Sequence, residues 1–315
     1  MSLLLAAASV RPSSPADASG AEPSPVVSLR LALPKGRMQE SLGRLFADAG
    51  LPARAGTRGY RPRIPLAGVD AKILKPQTIA EMLGCGVRDA GFTGADWIGE
   101  LATRPGWVPP IEVLDTGLDP VRVVVAAPPG LLEQGTLPRR PLTIASEYES
   151  LTRALIAERG CGDRFVRSYG ATEVFPPDDA DCIVDIAQSG ATLEANGLQV
   201  VNERLRSSTR LFASRAAWED PVRRATIETL ALLLRSALDA RERVMLELNV
   251  DADRLARVVE VLPCMREPTL SPLAGHRGFA VKSAVPRDRL ADLIPLLKSR
   301  GGADIVVTPL VQVIP

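Results

Sequence analysis

The chain has 315 residues, enough for roughly two or three compact domains, and its hydrophobic content of 46% excludes disorder of the whole chain. The formal net charge of +1 gives no electrostatic reason to expect a nucleic acid or a membrane surface as a partner. The single histidine, His276, argues against histidine-rich metal sites and Ser-His-Asp catalysis, since both chemistries need imidazole.

The cysteines predict neither a zinc site nor a disulfide framework, because their spacing is wide and contains no C-x-x-C pair. They are Cys85, Cys161, Cys182 and Cys264. The apolar runs are far shorter than the roughly 20 residues of a membrane span. We therefore expect a cytoplasmic protein with reduced cysteines.

Residues 1–27 are rich in Ser, Pro, Ala and Gly and lack periodicity, so they predict a disordered leader. The alternation in residues 28–33 then predicts a first strand. A basic turn, Lys35-Gly36-Arg37, follows it and leads into a helix from about Met38 to Ala49.

Strand-like and helical segments alternate over the next 200 residues or so, which favours a mostly parallel α/β architecture. Residues 89–96 predict a short strand that ends in a polar turn. The other predicted strands are 69–74, 122–127, 142–145 and 182–185, and the predicted helices are 78–83, 150–159 and 220–240.

Residues 244–315 have a different rhythm: strand, helix (251–262), strand (278–284), helix (287–300) and strand (303–307). This order resembles the βαββαβ arrangement of a ferredoxin-like module. Such modules often sense ligands or support assembly.

The most informative segment for chemistry is Asp185-Ile-Ala-Gln-Ser189-Gly190-Ala191-Thr192, a strand end followed by a turn of small residues. Backbone N–H groups in such a turn converge on one point, hydroxyls add donors, and glycine permits close approach, so a monophosphate fits. Asp185 is placed to accept hydrogen bonds from vicinal sugar hydroxyls. An ordinary capped helix with a structural Asp185 fits the same local pattern, which alone does not decide between them.

This segment resembles the phosphoribosyl diphosphate loop of ATP phosphoribosyltransferase, the first enzyme of histidine biosynthesis. Five further segments are similar to that family in chain order and extend the resemblance over about residues 28–310. They are Leu29–Met38, Asp89–Asp96, Ile144–Thr152, Gly170–Pro176 and Leu262–Leu273. The last of these resembles the regulatory domain of the family's long form.

The resemblance implies a bilobal, periplasmic-binding-protein-like catalytic core plus a C-terminal ferredoxin-like (ACT-like) regulatory domain. Residues 28–120 with 208–240 would form lobe I, residues 121–207 would form lobe II, and residues 241–315 would form the regulatory domain. It also implies assembly as a homodimer or homohexamer, with histidine as a possible effector.

The implied reaction is displacement of Mg²⁺-bound pyrophosphate at C1 of phosphoribosyl diphosphate by N1 of ATP, with inversion. This chemistry needs positioning and charge stabilisation more than proton transfer, which suits a chain with one histidine. Mg²⁺ is the implied cofactor, held largely by pyrophosphate and water, and its protein ligands are unknown.

The family's site residues map onto this chain by motif. The resemblance implies that the 5′-phosphate is held by Ser189, Gly190, Ala191 and Thr192. It implies that Glu173 and Asp185 bind the ribose hydroxyls and that Lys35 and Arg37 lie near the polyphosphates, where a solvated basic turn is the alternative. Thr93, Gly94 and Asp96 would lie at the substrate cleft or its hinge, with a purely structural turn as the alternative.

One departure concerns the second substrate. Where the family usually shows R-x-x-D-I-P, this chain has Lys75-Pro-Gln-Thr78-Ile-Ala80. A second departure lies in the regulatory domain, where Cys264 stands in place of the usual glycine. Three hypotheses therefore stay open. They are the histidine-pathway enzyme, a paralogue that serves ATP or another purine nucleotide in a natural-product pathway, and a catalytically silent binding homologue.

Overall fold

A computed structural model describes residues 29–54, 59–275 and 277–315. The predicted leader, residues 1–27, and His276 lie outside these ranges. The strands are β1 (Leu29–Pro34), β2 (Val69–Leu74), β3 (Ala90–Gly94), β4 (Ile111–Ala127), β5 (Thr143–Ser146), β6 (Arg164–Arg167), β7 (Cys182–Ala187), β8 (Gln199–Ala213), β9 (Arg243–Asp251), β10 (Thr269–Pro272), β11 (Gly278–Pro286) and β12 (Ala303–Pro309). The helices are α1 (Arg37–Asp48), α2 (Pro76–Gly84), α3 (Ala95–Leu101), α4 (Glu149–Arg159), α5 (Ala191–Ala195), α6 (Arg215–Glu219), α7 (Pro221–Arg241), α8 (Leu255–Val259) and α9 (Leu290–Ser299).

The catalytic core expected from the sequence is built on one eight-stranded sheet with the order β2-β1-β3-β8-β4-β7-β5-β6. We call the part built on β1, β2 and β3 lobe I, and the part built on β5, β6 and β7 lobe II. Strands β4 and β8, of 17 and 15 residues, pair antiparallel along most of their length and pass through both lobes. This pair therefore joins the two lobes.

The prediction of a mostly parallel sheet is wrong for its centre. The outer pairs, β1 with β2 and β3 and β5 with β6 and β7, are parallel, whereas β4 and β8 are antiparallel to their neighbours. Half-exposed positions and irregular pairing interrupt the apolar pattern of β8 and of the first half of β4. The pattern therefore predicted only residues 122–127 of β4.

The core of lobe I lies between the sheet and helices α1 and α7. Alternating β1 leucines, Leu29, Leu31 and Leu33, pack against this layer because successive strand residues point to opposite faces. Residues three and four apart face the same way on a helix, and Leu42, Leu45 and Phe46 of α1 follow that spacing. Phe46 also meets Phe92 edge to face, with 5.6 Å between ring centroids.

Lobe II buries both faces of its sheet. Val123 and Val125 pack in one cluster, whereas Val124 and Ala126 pack in another on the opposite face. Burial on both faces explains why the second half of β4 is a continuous apolar run instead of an alternating one.

The C-terminal part, residues 243–309, forms its own four-stranded antiparallel sheet with the order β10-β11-β9-β12. Together with α8 and α9 this is a ferredoxin-like βαββαβ module, as predicted. The first predicted helix, 251–262, is wrong in length, because the chain makes a turn before Leu255 and α8 has only five residues. The bilobal α/β core and the C-terminal module confirm the predicted fold class.

Among the helices in the ranges given above, none is long and apolar enough to cross a membrane.

Leu234→Ala should lower the free energy of unfolding by about 2–5 kcal/mol, because Leu234 of α7 is fully buried and its removal leaves a cavity. Leu232→Ala on the same helix is the matched control, since that side chain is 50% exposed, and its loss should be below about 0.5 kcal/mol. Urea unfolding of both variants measures the difference. Equal losses would contradict the packing of α7 against the lobe I sheet.

Candidate functional site

The two lobes meet at the carboxyl ends of their parallel strands, where the turns after β1 and β7 face each other. A cavity of about 290 Å³ lies at this point. Arg37 of lobe I lines it together with Glu173, Asp185 and the loop of residues 186–193 from lobe II. The structure thus brings together a basic side chain, two carboxylates and the loop with the anion-binding sequence pattern.

We call residues 186–193 the phosphate loop, after the ligand that the sequence predicts for it. Gly190 within it has a left-handed backbone, with φ of 91°, which only glycine adopts readily. A Cβ atom added at Gly190 would meet nothing within 4 Å, so the backbone at this position borders open space. The backbone N–H of Ala191 donates to the Ser189 hydroxyl at 3.3 Å, which holds the turn that leads into α5.

Asp185 lies at the end of β7, directly before the phosphate loop. Its Oδ1 accepts the backbone N–H of Ile186 at 2.7 Å. Burial raises the pKa of Asp185 to about 6, and although the Ile186 N–H opposes the rise, the nearby charges of Glu173 and Glu147 add to it. Asp185 is therefore ionised at neutral pH against an unfavourable environment, and hydrogen-bond donors on a ligand would relieve that cost.

The basic turn of lobe I is held by backbone geometry. The N–H of Lys35 donates to the carbonyl of Leu74 at 2.8 Å, and Gly36 takes φ of 79° before α1 begins at Arg37. Lys35 and Arg37 are both exposed, and neither forms an ion pair with any residue of the described ranges. Arg37 lines the cavity, whereas Lys35 lies on the same turn outside its lining.

In the structure, Thr93, Gly94 and Asp96 contact other groups of the protein. Thr93 is fully buried and donates to the carbonyl of Pro76 at 2.9 Å, and Gly94 precedes the first turn of α3. Residues 89–96 were predicted to form a short strand that ends in a polar turn; the strand is present as β3, whereas the turn is wrong, since α3 starts directly at Ala95. Asp96 is 3% exposed and accepts hydrogen bonds from Ser207 at 2.5 Å and Tyr148 at 2.6 Å. Its assignment to a substrate stays a prediction.

Sequence reasoning missed a second cavity, of about 600 Å³, between α2 and α3 of lobe I and the ends of β5 and β6 in lobe II. Its lining includes Trp97, Arg104, Glu147, Arg167 and Tyr169. The Tyr169 side chain is 89% exposed, which is unusual for a large aromatic residue. The only sequence signal was its position directly before the segment that contains Glu173.

Two family models match the chain. The model described as ATP phosphoribosyltransferase matches residues 75–236, which is about half of the chain, and the model of the C-terminal domain of the same family matches residues 240–312.

Named relatives agree with these matches. An ATP phosphoribosyltransferase from Pelotomaculum thermopropionicum is 36% identical over 289 residues, which cover 92% of this chain and 100% of the relative. One from Chlorobaculum parvum is 36% identical over 277 residues, 88% of this chain and 94% of the relative. A chain in the solved ATP phosphoribosyl transferase (HisG:HisZ) complex from Thermotoga maritima has a similar fold, with a TM-score of 0.58 and 23% identity, over 67% of this chain and 98% of that one.

Asp185→Asn should raise the free energy of unfolding by roughly 1–3 kcal/mol above about pH 7, because the amide avoids burial of a charge. The folded pKa of about 6 lies above the ordinary value of 3.8, so the native protein binds the extra proton between these values. Stability of the unmodified protein therefore rises as the pH falls through this window, and the advantage of the variant disappears near about pH 4.

Urea unfolding between about pH 4 and pH 8 measures this dependence for Asp185→Asn and for Asp178→Asn, an exposed control. A difference that stays constant over the whole pH range would show that Asp185 ionises as easily in the folded chain as in the unfolded one.

Proposed function

The chain belongs to the ATP phosphoribosyltransferase family, and on that premise we propose how its interlobe cleft performs the reaction. The protein transfers the phosphoribosyl group of phosphoribosyl diphosphate to N1 of ATP and releases pyrophosphate, the first step of histidine biosynthesis. Identity of 36% over 92% of the chain to a named ATP phosphoribosyltransferase favours this function over a paralogue in another pathway and over a silent homologue.

The observation that carries the proposal is the shared cavity of Arg37, Asp185 and the phosphate loop. The 5′-phosphate of the sugar binds in the loop, where Ser189, Gly190, Ala191 and Thr192 surround it with backbone N–H groups and hydroxyls. Glu173 and Asp185 line the same cavity and accept hydrogen bonds from the ribose hydroxyls. Those bonds relieve the unfavourable environment of the ionised Asp185.

Charge stabilisation at C1 follows from the same placement. As the bond from C1 to pyrophosphate breaks, negative charge grows on the leaving group and positive charge grows on the sugar. Arg37, with Lys35 beside it on the turn after β1, stabilises the negative charge on the leaving group. The carboxylates of Glu173 and Asp185 stabilise the positive charge on the sugar. N1 of ATP then forms its bond to C1 from the face opposite the departing pyrophosphate, and no side chain has to transfer a proton in that step.

We assign ATP to the second, larger cavity, which lies beside the sugar site at the ends of the neighbouring strands β5 and β6. The exposed Tyr169 ring offers a stacking surface for a purine, and Arg104 and Arg167 offer cations for its phosphates. Both arginines are already paired, Arg104 with Glu81 and Arg167 with Glu149, so the triphosphate would compete with these carboxylates.

The departure at Lys75–Ala80 falls on the start and the buried face of α2. Pro76 occupies the first turn of this helix, where proline is well tolerated, and Ala80 is fully buried against Trp107. Trp107 donates to the Ala80 carbonyl at 3.2 Å. A proline is thus absent from a position that packs inside lobe I, and Gln77 at the start of the helix lines the cavity assigned to the acceptor.

Mg²⁺ fits this site as a cation carried by the diphosphate. Within the described ranges, no group of three or more His, Cys, Asp or Glu side chains is arranged to hold a metal ion. Glu173 and Asp185 provide hard oxygen donors of the kind Mg²⁺ prefers, and most of its ligands would be diphosphate oxygens and water. When bound, the ion neutralises charge on the leaving group.

We further propose the domain boundaries implied by the sequence: residues 28–120 with 208–240, residues 121–207 and residues 241–315. We also propose a cytoplasmic homodimer or homohexamer with histidine as a possible effector at the C-terminal domain. The biosynthetic role and the ferredoxin-like module support these assignments. Size-exclusion chromatography with light scattering, with and without histidine, tests the assembly.

Release of pyrophosphate from phosphoribosyl diphosphate and ATP tests the function, and Gly190→Val tests the loop. The variant should lose phosphoribosyl diphosphate binding, because its side chain enters the phosphate position and its backbone is strained. Gly135→Val is the matched control, since Gly135 has a similar φ of 77° with open space around its Cβ and lies in a remote turn. Near-normal affinity in folded Gly190→Val would refute the loop assignment.

Tyr169→Ala should raise the KM for ATP about tenfold, because base stacking on an aromatic ring contributes about 1–3 kcal/mol. The KM for phosphoribosyl diphosphate should change little, since Tyr169 lies outside the lining of the smaller cavity. Tyr60→Ala removes another exposed tyrosine, 62% accessible, and serves as the control. Equal increases of both KM values would contradict the assignment of ATP to the second cavity.

A further inference from the structure

The N-terminus of helix α4 in lobe II has no capping side chain at its own N-cap residue. Tyr148 occupies the N-cap position, and its side chain makes no capping hydrogen bond. The first N–H groups of a helix have no partner within the helix, so they need an acceptor from elsewhere. Ser and Asp caps on α6 and α7 supply such acceptors locally, whereas α4 takes its acceptor from the other lobe.

That acceptor is Glu100 of α3 in lobe I. One carboxylate oxygen accepts the backbone N–H of Ser150 at 2.8 Å, and the other accepts that of Leu151 at 3.0 Å. The carboxylate is 6% exposed, and burial raises the pKa of Glu100 although the two N–H groups oppose the rise. A buried charge that meets two aligned donors at a helix N-terminus forms a strong contact.

The contact joins the two lobes in addition to the shared strands β4 and β8. Glu100 belongs to the lobe that carries Arg37, whereas Ser150 and Leu151 belong to the lobe that carries the phosphate loop. Trp97, one turn earlier on α3, stacks on Tyr148 with 4.6 Å between ring centroids. One face of α3 therefore lies against the start of α4, and Glu100 and Ser150 are part of the lining of the larger cavity.

We propose that Glu100 is a positioning residue for phosphoribosyl transfer: by capping α4 across the lobe interface it holds the cleft closed before substrate binds. This inference rests on the proposed function for its kinetic consequence. If the lobes separate, Glu100 and the N–H groups of α4 must exchange these bonds for water. Loss of the carboxylate shifts the ligand-free protein towards open forms, and phosphoribosyl diphosphate must then supply the closure.

Glu100→Gln tests the proposal, because the amide offers one acceptor oxygen and turns a donor towards a second donor. The KM for phosphoribosyl diphosphate should rise about five- to tenfold with kcat changed less than about twofold, as expected when only the binding-competent fraction falls. Glu100→Asp keeps the charge on a shorter side chain and should recover part of the loss. It also keeps the test valid if the glutamine variant does not fold.

Small-angle X-ray scattering supplies a readout that needs no turnover. Ligand-free Glu100→Gln should have a larger radius of gyration than the unmodified protein and should contract when phosphoribosyl diphosphate is added. Glu158→Gln is the control, since Glu158 lies on α4 itself and its carboxylate pairs with Arg204 inside lobe II. It should match the unmodified protein in scattering and KM.

An unchanged radius of gyration and an unchanged KM in folded Glu100→Gln would overturn the proposal. A fall in kcat without a change in KM or scattering would also overturn it, because that pattern indicates a role in the chemical step. If the unmodified protein releases no pyrophosphate, the proposed function fails, while scattering of the ligand-free variants still decides whether Glu100 holds the lobes together.

Discussion

The antiparallel pairing of β4 with β8 is the constraint on which the rest of the catalytic core depends. Both strands run through the two lobes, so each lobe adds its parallel strands to one edge of the same central pair. This arrangement turns the carboxyl ends of the two parallel sets towards each other. The turn after β1 and the loop after β7 therefore share a cavity although about 150 residues separate them along the chain.

A site between two lobes divides its chemistry between them. On the proposed function, lobe I brings cations for the departing pyrophosphate, and lobe II brings the phosphate loop and carboxylates for the ribose hydroxyls. Asp185 is half-buried close to Glu147 and Glu173, which costs stability in the free protein and favours hydrogen-bond donors from a ligand. Because neither lobe is sufficient, contacts that set their relative position, such as Glu100 with the start of α4 at the larger cavity, contribute to function through the geometry of the cleft.

Much of this organisation was readable from residue patterns. Local signals predicted the basic turn at Lys35–Arg37, the loop at Asp185–Thr192 and the C-terminal module. These signals are glycine within a turn, small residues after a strand, and alternating helix and strand periods. The strand β8 was not readable, because residues 199–206 are half-exposed and polar and show no apolar alternation. The roles of Asp96 and Glu100 were hidden for another reason, since their partners, Tyr148, Ser207 and the start of α4, are distant in sequence.

The sequence by itself determined the basic turn after the first strand, the turn of small residues after Asp185, the family and the existence of a separate C-terminal module, since each depends on short-range chemistry or on motifs kept in order. Only the tertiary structure decided which groups meet. It placed Arg37 in the lining of the smaller cavity and Lys35 just outside that lining. It also formed the larger cavity, which Tyr169 lines. It also buried Asp96 in the lobe interface. The physical reason is that contacts between lobes follow from strand pairing and closure, and residues far apart in the chain carry no local trace of them.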